Sequence, residues 1–234
     1  VDTITSMAKL DNGDIISVGN GDEGKIIKLT SKDQGNNWES QEIELPKAEG
    51  SKTYVRELKA FANGEIIVSY DQAKGEEYVL KYAKVDNSGA VTDLNINAVT
   101  EDGSTVSANN FKMSEDGDIF YVNINTVVQL DGATLEEKTK FEGENTILEY
   151  VRTGDQLSVN GEDDVVSYDI ASGSEKCTVE ALNKDRIDNE GDDSKTLLDS
   201  NSKDKVYYSS NLGLFEYDLK ADTTKQLVDG SISY

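Results

Sequence analysis

The side chains that most often carry enzyme chemistry are scarce in this chain of 234 residues. It has no histidine and a single cysteine, Cys177, so neither a Ser-His-Asp or Cys-His arrangement nor a histidine-based metal site can form. One cysteine cannot form an internal disulfide, and its place in an apolar-alternating run is typical of a small packed residue. A phosphate-cradling glycine-rich loop is also missing from the sequence. The chemistry that remains open is that of carboxylates, arginines and aromatic side chains.

Carboxylates are abundant, with 46 Asp and Glu residues against 23 Lys and Arg residues and a net charge of −23. A field of this sign repels phosphate backbones and anionic membrane surfaces, which argues against a nucleic-acid partner. Paired carboxylates could hydrolyse glycosides, and the candidates for that chemistry are Glu57, Glu149 and Asp199. The oxygen-rich loops 160–164 and 188–193 suggest calcium, although neither has the spacing of an EF-hand. We therefore expect no cofactor and keep calcium as a minor hypothesis.

A small set of cationic, polar and aromatic residues is the strongest candidate for a binding site. Tyr54 and Arg56 are two positions apart, which places both on one face of a strand. Asn109 and Lys195 occupy the positions equivalent to Arg56 in later repeats, and Arg186 lies in the long connector 180–196. A partly basic rim with an aromatic side chain suits a sugar, a peptide or an acidic group, whereas the alternative is ordinary surface charge. We predict that these five residues bind a ligand.

The elements that must position these residues are strands in five repeats. A polar turn between two apolar runs recurs with its third position at residues 13, 64, 117, 154 and 203, so the gaps are 51, 53, 37 and 49 residues. A period of about 40–50 residues with several short strands in each repeat is typical of a β-propeller. Each repeat divides into four strand-length runs rich in β-branched and aromatic residues. We predict an all-β propeller of about five four-stranded blades, forming either a complete ring or part of a larger one, with the candidate residues around one mouth of its channel.

A single propeller domain is predicted over residues 1–234, because only Pro46 and no Gly/Ser-rich linker interrupts it. No apolar run approaches the ~18 residues that span a bilayer, so no transmembrane segment is expected. The chain begins at Val1 without an initiator methionine, from which we expect a processed or trimmed chain and leave room for flanking domains. The blades are predicted at about 5–50, 51–100, 105–143, 146–182 and 195–230.

A second turn, between the third and fourth strands, repeats its chemistry in all five units. Every copy opens with an aspartate, whose carboxylate can cap the backbone amides of a tight turn. The five aspartates are Asp33, Asp86, Asp131, Asp169 and Asp218.

In the first unit this turn has a more specific pattern. It reads Ser31-Lys32-Asp33-Gln34-Gly35-Asn36-Asn37-Trp38, which matches Ser-x-Asp-x-Gly-x-x-Trp. The segment resembles the Asp-box, or bacterial neuraminidase repeat, with Asn37 where the motif has Thr. In that family the Asp-box is a folding element on the blade rim, away from the active centre. The resemblance implies that Asp33 holds the amides of the turn, that Gly35 takes its strained conformation, and that Trp38 packs between blades.

The same resemblance suggests that the chain could be a sialidase. Sialidases of that family require three arginines around a substrate carboxylate, a Tyr–Glu nucleophile pair and an Asp acid/base. This chain has three arginines, Arg56, Arg152 and Arg186. Arg56 lies eight residues before its turn glycine, whereas Arg152 lies two residues before Gly154, so they occupy opposite ends of equivalent strands. The family's Arg-Ile-Pro segment is absent as well. These positions argue against a sialidase.

The function that best fits these patterns is a non-catalytic ligand- or protein-binding propeller of a secreted or cell-surface bacterial protein. The Asp-box and the acidic, cysteine-poor composition resemble extracytoplasmic propellers, including those attached to solute-binding lipoproteins. One alternative is a carbohydrate-active hydrolase, which needs carboxylates facing each other across the channel mouth. The other is a structural spacer, which needs no concave site.

Overall fold

The chain folds into a series of antiparallel β-sheets. The computed structural model describes residues 3–96, 107–143, 146–161, 165–178, 196–198, 202, 204–210, 212–221 and 223–230. Within these ranges, twenty strands form five four-stranded sheets, and consecutive strands pair in order within each sheet. This up-and-down sheet is the blade of a β-propeller, so the predicted fold class is confirmed. The chain divides into two compact units, Val1–Ser107 with Met113–Asp118, and Ala108–Lys112 with Ile119–Tyr234.

The first unit contains two sheets. The strands of the first sheet are β1 (Thr3–Lys9), β2 (Ile15–Asn20), β3 (Ile26–Ser31) and β4 (Glu39–Ile43), with a 3-10 turn at Asp22–Gly24 between β2 and β3. Those of the second sheet are β5 (Lys52–Ala60), β6 (Ile66–Lys74), β7 (Glu77–Val85) and β8 (Val91–Leu94). Because β5 begins at Lys52, Tyr54 and Arg56 lie inside the strand and not in the connector that enters it.

The second unit contains the other three sheets, apart from Met113 at the end of β9. The third sheet consists of β9 (Asn109–Met113), β10 (Ile119–Asn123), β11 (Thr126–Leu130) and β12 (Glu137–Glu142). The fourth consists of β13 (Ile147–Thr153), β14 (Gln156–Gly161), β15 (Val165–Asp169) and β16 (Glu175–Thr178). The fifth consists of β17 (Thr196–Leu198), β18 (Lys205–Ser210), β19 (Gly213–Asp218) and β20 (Thr223–Asp229). Throughout the described ranges, no helix is long and apolar enough to cross a membrane.

The repeated turn between the first and second strands has the same hydrogen bond in the first three sheets. The N–H of Gly13 donates to the carbonyl of Leu10, and the corresponding bond joins Gly64 to Phe61, each at 2.9 Å. Gly117 and Ser114 repeat it at 2.9 Å. The fourth sheet has a tighter turn, in which Thr153 pairs with Gln156. The sequence repeat therefore corresponds to a repeated backbone geometry.

Neighbouring sheets pack through their apolar faces within each unit. In the first unit, Ile16 and Val18 of the first sheet share one buried cluster with Val68 and Tyr70 of the second. In the second unit, one cluster joins the third and fourth sheets and another joins the fourth and fifth. Packing on both faces explains why several strands read as nearly continuous apolar runs, because neither face is left to the solvent.

A β-bulge interrupts the first strand of three sheets, namely β1, β5 and β13. A bulge leaves one residue out of register and redirects its side chain. Thr5 and Arg56 are both such residues. The three register shifts lie between Ile4 and Ser6, between Val55 and Glu57, and between Ile147 and Glu149.

Candidate functional site

A groove of about 700 Å³ lies in the first unit, where β2 ends and β5 begins. One wall is the turn Asn20–Gly24, and the other is the segment Ser51–Val55 together with Lys47. The walls meet where Gly24 packs against β5, since a Cβ added to this glycine would lie 2.7 Å from the Cβ of Thr53. The volume falls within the range of small-molecule sites.

Two buried polar oxygens on these walls have no hydrogen-bond partner. They are Oγ1 of Thr53, a residue that is only 7% exposed, and Oδ1 of Asn20. Buried polar atoms in native proteins are nearly always hydrogen-bonded, because an unpaired one costs about 1–3 kcal/mol. Both oxygens are enclosed by the protein, as are the similarly unpaired oxygens of Ser17 and Ser158 elsewhere among the described residues. The concave shape of the groove and the polar residues on both of its walls make it the candidate binding site.

The groove also combines an aromatic ring with charges of both signs. Tyr54, a predicted binding residue, lies on the β5 wall with 48% of its surface exposed. Two acidic residues, Asp22 and Glu23, and two lysines, Lys47 and Lys52, complete the polar lining. Their formal charges cancel, so the groove is neutral in a chain whose net charge is −23.

Arg56 lies just beyond the groove and is paired with a buried carboxylate. Its Nε donates to Oδ2 of Asp71 at 2.6 Å, and Asp71 is only 8% exposed. Asp71 is also the cross-strand partner of Tyr54. The structure thus brings Tyr54 and Arg56 together, but it compensates the guanidinium charge within the fold. Replacing Arg56 would unpair a buried carboxylate, so Arg56→Ala cannot separate a loss of binding from a loss of stability.

The other three predicted binding residues do not line this groove. Asn109 is exposed at the first position of β9 and lies in the second unit, not in the unit that contains the groove. Arg186 and Lys195 lie outside the described residues, as do Asp199 and the loop 188–193. Their assignment to a shared binding site stays a prediction.

The carboxylates considered for hydrolysis have different surroundings. Oε1 of Glu149 accepts a hydrogen bond from Nδ2 of Asn160 at 3.0 Å and another from the backbone N–H of Leu197. This carboxylate therefore joins strands of the fourth and fifth sheets. Glu57 is exposed on β5 in the first unit. Across the part of the chain that the structure describes, no group of three His, Cys, Asp or Glu side chains has the arrangement of a metal site.

The turn Ser31–Trp38 is organised around the carboxylate of Asp33. Oδ1 of Asp33 accepts from the N–H of Asn37 at 2.8 Å and from the hydroxyl of Ser31 at 2.9 Å. The Ser31 Oγ in turn accepts from the N–H of Gly35, whose φ is +93°. The indole of Trp38 donates to the Gly35 carbonyl at 3.0 Å and is 40% exposed. Trp38 therefore covers its own turn, and the expectation that it is enclosed between blades is wrong.

All five turns between third and fourth strands are capped by their aspartate, as predicted. In the four other turns the carboxylate accepts from amides two to four residues ahead, at 2.8–3.0 Å. Hydrogen bonds from the backbone amides of each turn, joined in several turns by a side-chain donor, favour the charged form, and they lower the pKa of each aspartate below its ordinary value of 3.8. The five groups are Asp33, Asp86, Asp131, Asp169 and Asp218.

We expect these capped turns to make the protein sensitive to acid. A carboxyl whose folded pKa is below its unfolded pKa stabilises the fold above the unfolded value, and that contribution disappears as the pH falls through the folded value. Melting temperatures followed by circular dichroism should therefore be constant down to about pH 4.5 and fall below about pH 4. Asp131→Ala should melt a few degrees lower at neutral pH, and its melting temperature should fall less in acid than that of the parent. Glu76→Gln, at an exposed turn, should have the parent's melting temperature throughout. A constant melting temperature down to about pH 2 would contradict this prediction.

Sequence patterns did not identify most of the groove. Asn20, Lys47 and Thr53 are ordinary polar residues, and none of them stands out in a motif. A usable signal is the segment Gly19-Asn20-Gly21-Asp22-Glu23-Gly24, which has three glycines in six residues at the end of β2 and in the turn that follows it. Glycine at such a place marks a close approach of backbone segments.

Comparison with known proteins supports the fold. No protein-family model matches the chain, and no curated protein matches it. The β-propeller domain of Cps50 (Swd1) from Myceliophteria thermophila aligns with a TM-score of 0.58 and 12% identity over 97% of this chain and 73% of that one. A protein from Lactobacillus plantarum aligns with a TM-score of 0.56 and 14% identity over 97% of this chain and 71% of that one.

A third similar structure is PorZ, described as an essential bacterial surface component of the type-IX secretion system of Porphyromonas gingivalis. It aligns with a TM-score of 0.58 and 10% identity over 97% of this chain, but the aligned part is only 28% of PorZ. At these identities the likeness concerns the fold alone.

Proposed function

We propose that this chain is a non-catalytic binding module and that the groove between the Asn20–Gly24 turn and β5 binds a sugar. The observation that carries the proposal is the groove itself, in which the half-exposed ring of Tyr54 lies beside polar side chains of both walls. Carboxylates accept hydrogen bonds and ammonium groups donate them. Such groups on opposite walls complement the hydroxyls of a sugar, each of which both donates and accepts.

Tyr54 supplies the apolar part of this site. Its half-exposed ring offers a flat surface for the C–H face of a pyranose, while its hydroxyl remains a hydrogen-bonding group. Asp22 and Glu23 on one wall and Lys47 and Lys52 on the other provide further partners without a net charge. Charge balance favours a polyhydroxylated ligand over an anion, which the field of the whole chain would repel.

The direct test is a glycan array probed with the intact protein, followed by calorimetric titration of the strongest oligosaccharide. Tyr54→Ala should weaken binding at least about tenfold, the loss expected for ~1.4 kcal/mol of contact. Tyr78→Ala is the matched control, because Tyr78 is 65% exposed and does not line the groove. Equal binding by the two variants would place the sugar elsewhere.

Thr53→Val is a second control. Valine has nearly the shape of threonine, and the hydroxyl that it removes has no protein partner, so stability should be unchanged or slightly higher. Because this hydroxyl is enclosed within the wall, sugar affinity should also be unchanged. A several-fold loss of affinity would show that the sugar opens the wall and reaches Thr53. The absence of any bound glycan on the array would instead favour the structural spacer.

The proposal also assigns the module to a secreted or cell-surface bacterial protein. The support is the Asp-box resemblance of Ser31, Asp33, Gly35 and Trp38, together with the acidic composition. PorZ offers an example of a bacterial surface component that contains this fold within a longer chain. Fractionation of the native cells with a specific antibody tests the assignment, and recovery from the cytosol would refute it.

A further inference from the structure

A buried lysine occupies the middle of an apolar strand in the first unit. Lys28 lies on β3 between Ile27 and Leu29 and is only 5% exposed. Its Nζ donates to two backbone carbonyls of the next sheet, that of Asn87 at 3.3 Å and that of Gly64 at 3.5 Å. Among the described residues, no carboxylate lies within ion-pairing distance of this ammonium.

This environment is unusual for a cation. A buried ammonium is normally paired with a carboxylate, because an unpaired charge out of water is energetically unfavourable. The nearby Lys84 follows that rule, since its Nζ lies 3.2 Å from Oε1 of Glu65. Burial lowers the pKa of Lys28, and the charge of Asp86 opposes this only in part. The Asp86 carboxylate instead caps its own turn through Ser88 and Ala90.

A cavity of about 360 Å³ adjoins Lys28. Its apolar lining comes from Leu10, Ile16 and Ala62, and asparagines of the turns supply much of the polar lining. It lies at the turns that join β1 to β2, β5 to β6 and β7 to β8. The sugar groove lies at the turn between β2 and β3, which is the opposite end of these antiparallel sheets. The two sites are therefore separate.

We propose that this cavity binds a small organic acid, whose carboxylate pairs with the ammonium of Lys28. An ammonium has three donors, and the two long bonds to carbonyls leave it able to bind a further acceptor. A short hydrocarbon body would lie against Leu10, Ile16 and Ala62. The exposed Asp11 on the cavity wall and the net negative charge of the chain both weaken the attraction of an anion to Lys28. A monoanion is therefore favoured over a dianion.

The test uses propionate and benzoate as probes, with propionamide and benzamide as neutral counterparts. Backbone amide shifts of the intact protein are followed by heteronuclear NMR at about 0.15 M salt, where long-range charge effects are screened. A carboxylate should produce saturable shifts at Gly64, Asn87 and the residues around Lys28, while the amides should produce none. Absence of saturable shifts, or shifts mapped elsewhere, would overturn the proposal without any variant.

Two variants complete the test. Lys28→Met keeps an unbranched side chain that is one atom shorter and removes its charge, so carboxylate affinity should fall at least tenfold. Lys32→Met is the control, because Lys32 is exposed and pairs with Glu39. This variant should bind the carboxylate probes with the parent's affinity. Without ligand, Lys28→Met should melt no lower than the parent, since an unpaired buried charge is gone. A clearly lower melting temperature of Lys28→Met combined with unchanged carboxylate binding would refute the site. Lys28 would then only stabilise the contact between the two sheets. Neither result depends on whether the groove binds sugar.

Discussion

Replacing Phe141 by alanine is expected to lower the free energy of unfolding by about 3–5 kcal/mol, as truncation of a buried aromatic ring does in other cores. Phe141 lies on β12, has no exposed surface and packs edge-on against Tyr168, with ring centroids 5.8 Å apart. It belongs to the cluster that joins the third and fourth sheets. Alanine would leave a cavity between the third and fourth sheets.

Urea denaturation followed by far-ultraviolet circular dichroism measures this loss. Phe141→Leu should show a smaller loss, of about 1–2 kcal/mol, because it keeps most of the apolar volume. Met7→Ala is the surface control, since Met7 is 58% exposed, and it should stay within about 0.5 kcal/mol of the parent. A loss below about 1 kcal/mol for Phe141→Ala would contradict the described packing of these sheets.

The features that the sequence predicted well are those decided by neighbouring residues. A turn forms where Asp and Gly stand between two apolar runs, so the positions of Gly13, Gly64 and Gly117 indicated where strands reverse. The capping role of Asp131 likewise depends only on amides two and three residues ahead. Because five such units were spaced along the chain, the blade architecture followed from local chemistry.

The candidate site depended on contacts that local patterns do not contain. Arg56 could be recognised as a cation beside Tyr54, but its pairing with Asp71 follows from the register of β5 on β6 and from the bulge at Arg56. The orphaned hydroxyl of Thr53 depends on the approach of a turn centred near residue 22. Neither the register nor this approach could be derived from residue types.

Lys28 stands between these two cases. A lysine within Ile26-Ile27-Lys28-Leu29 is visible as an exception in an apolar run, and it could have been singled out. Its significance nevertheless depends on Gly64 and Asn87, which belong to the next sheet. A charge in a buried strand therefore marks a position to inspect, while the structure determines whether its partner is a carboxylate, a carbonyl or a ligand.

Replacing Gly24 by alanine is expected to destabilise the first unit and to abolish sugar binding together. Gly24 has a φ of +77°, a conformation that costs a residue with a Cβ about 1–2 kcal/mol. The added Cβ would also overlap the backbone carbonyl of Thr53, which cannot rotate away as a flexible side chain could. We expect a total loss of at least about 3 kcal/mol of unfolding free energy, because overpacking adds to the conformational strain.

Gly50→Ala separates these two contributions. Gly50 has nearly the same backbone, with a φ of +74°, but a Cβ added there would meet nothing within 4 Å. This control should lose only the conformational part, about 1–2 kcal/mol, and should bind the array-selected sugar with the parent's affinity. Relief of the overlap in Gly24→Ala requires the Asn20–Gly24 turn to move away from β5, which separates the oxygens of Asn20 and Thr53. Equal losses in the two variants, or intact sugar binding in Gly24→Ala, would show that the close contact of these walls does not shape the site.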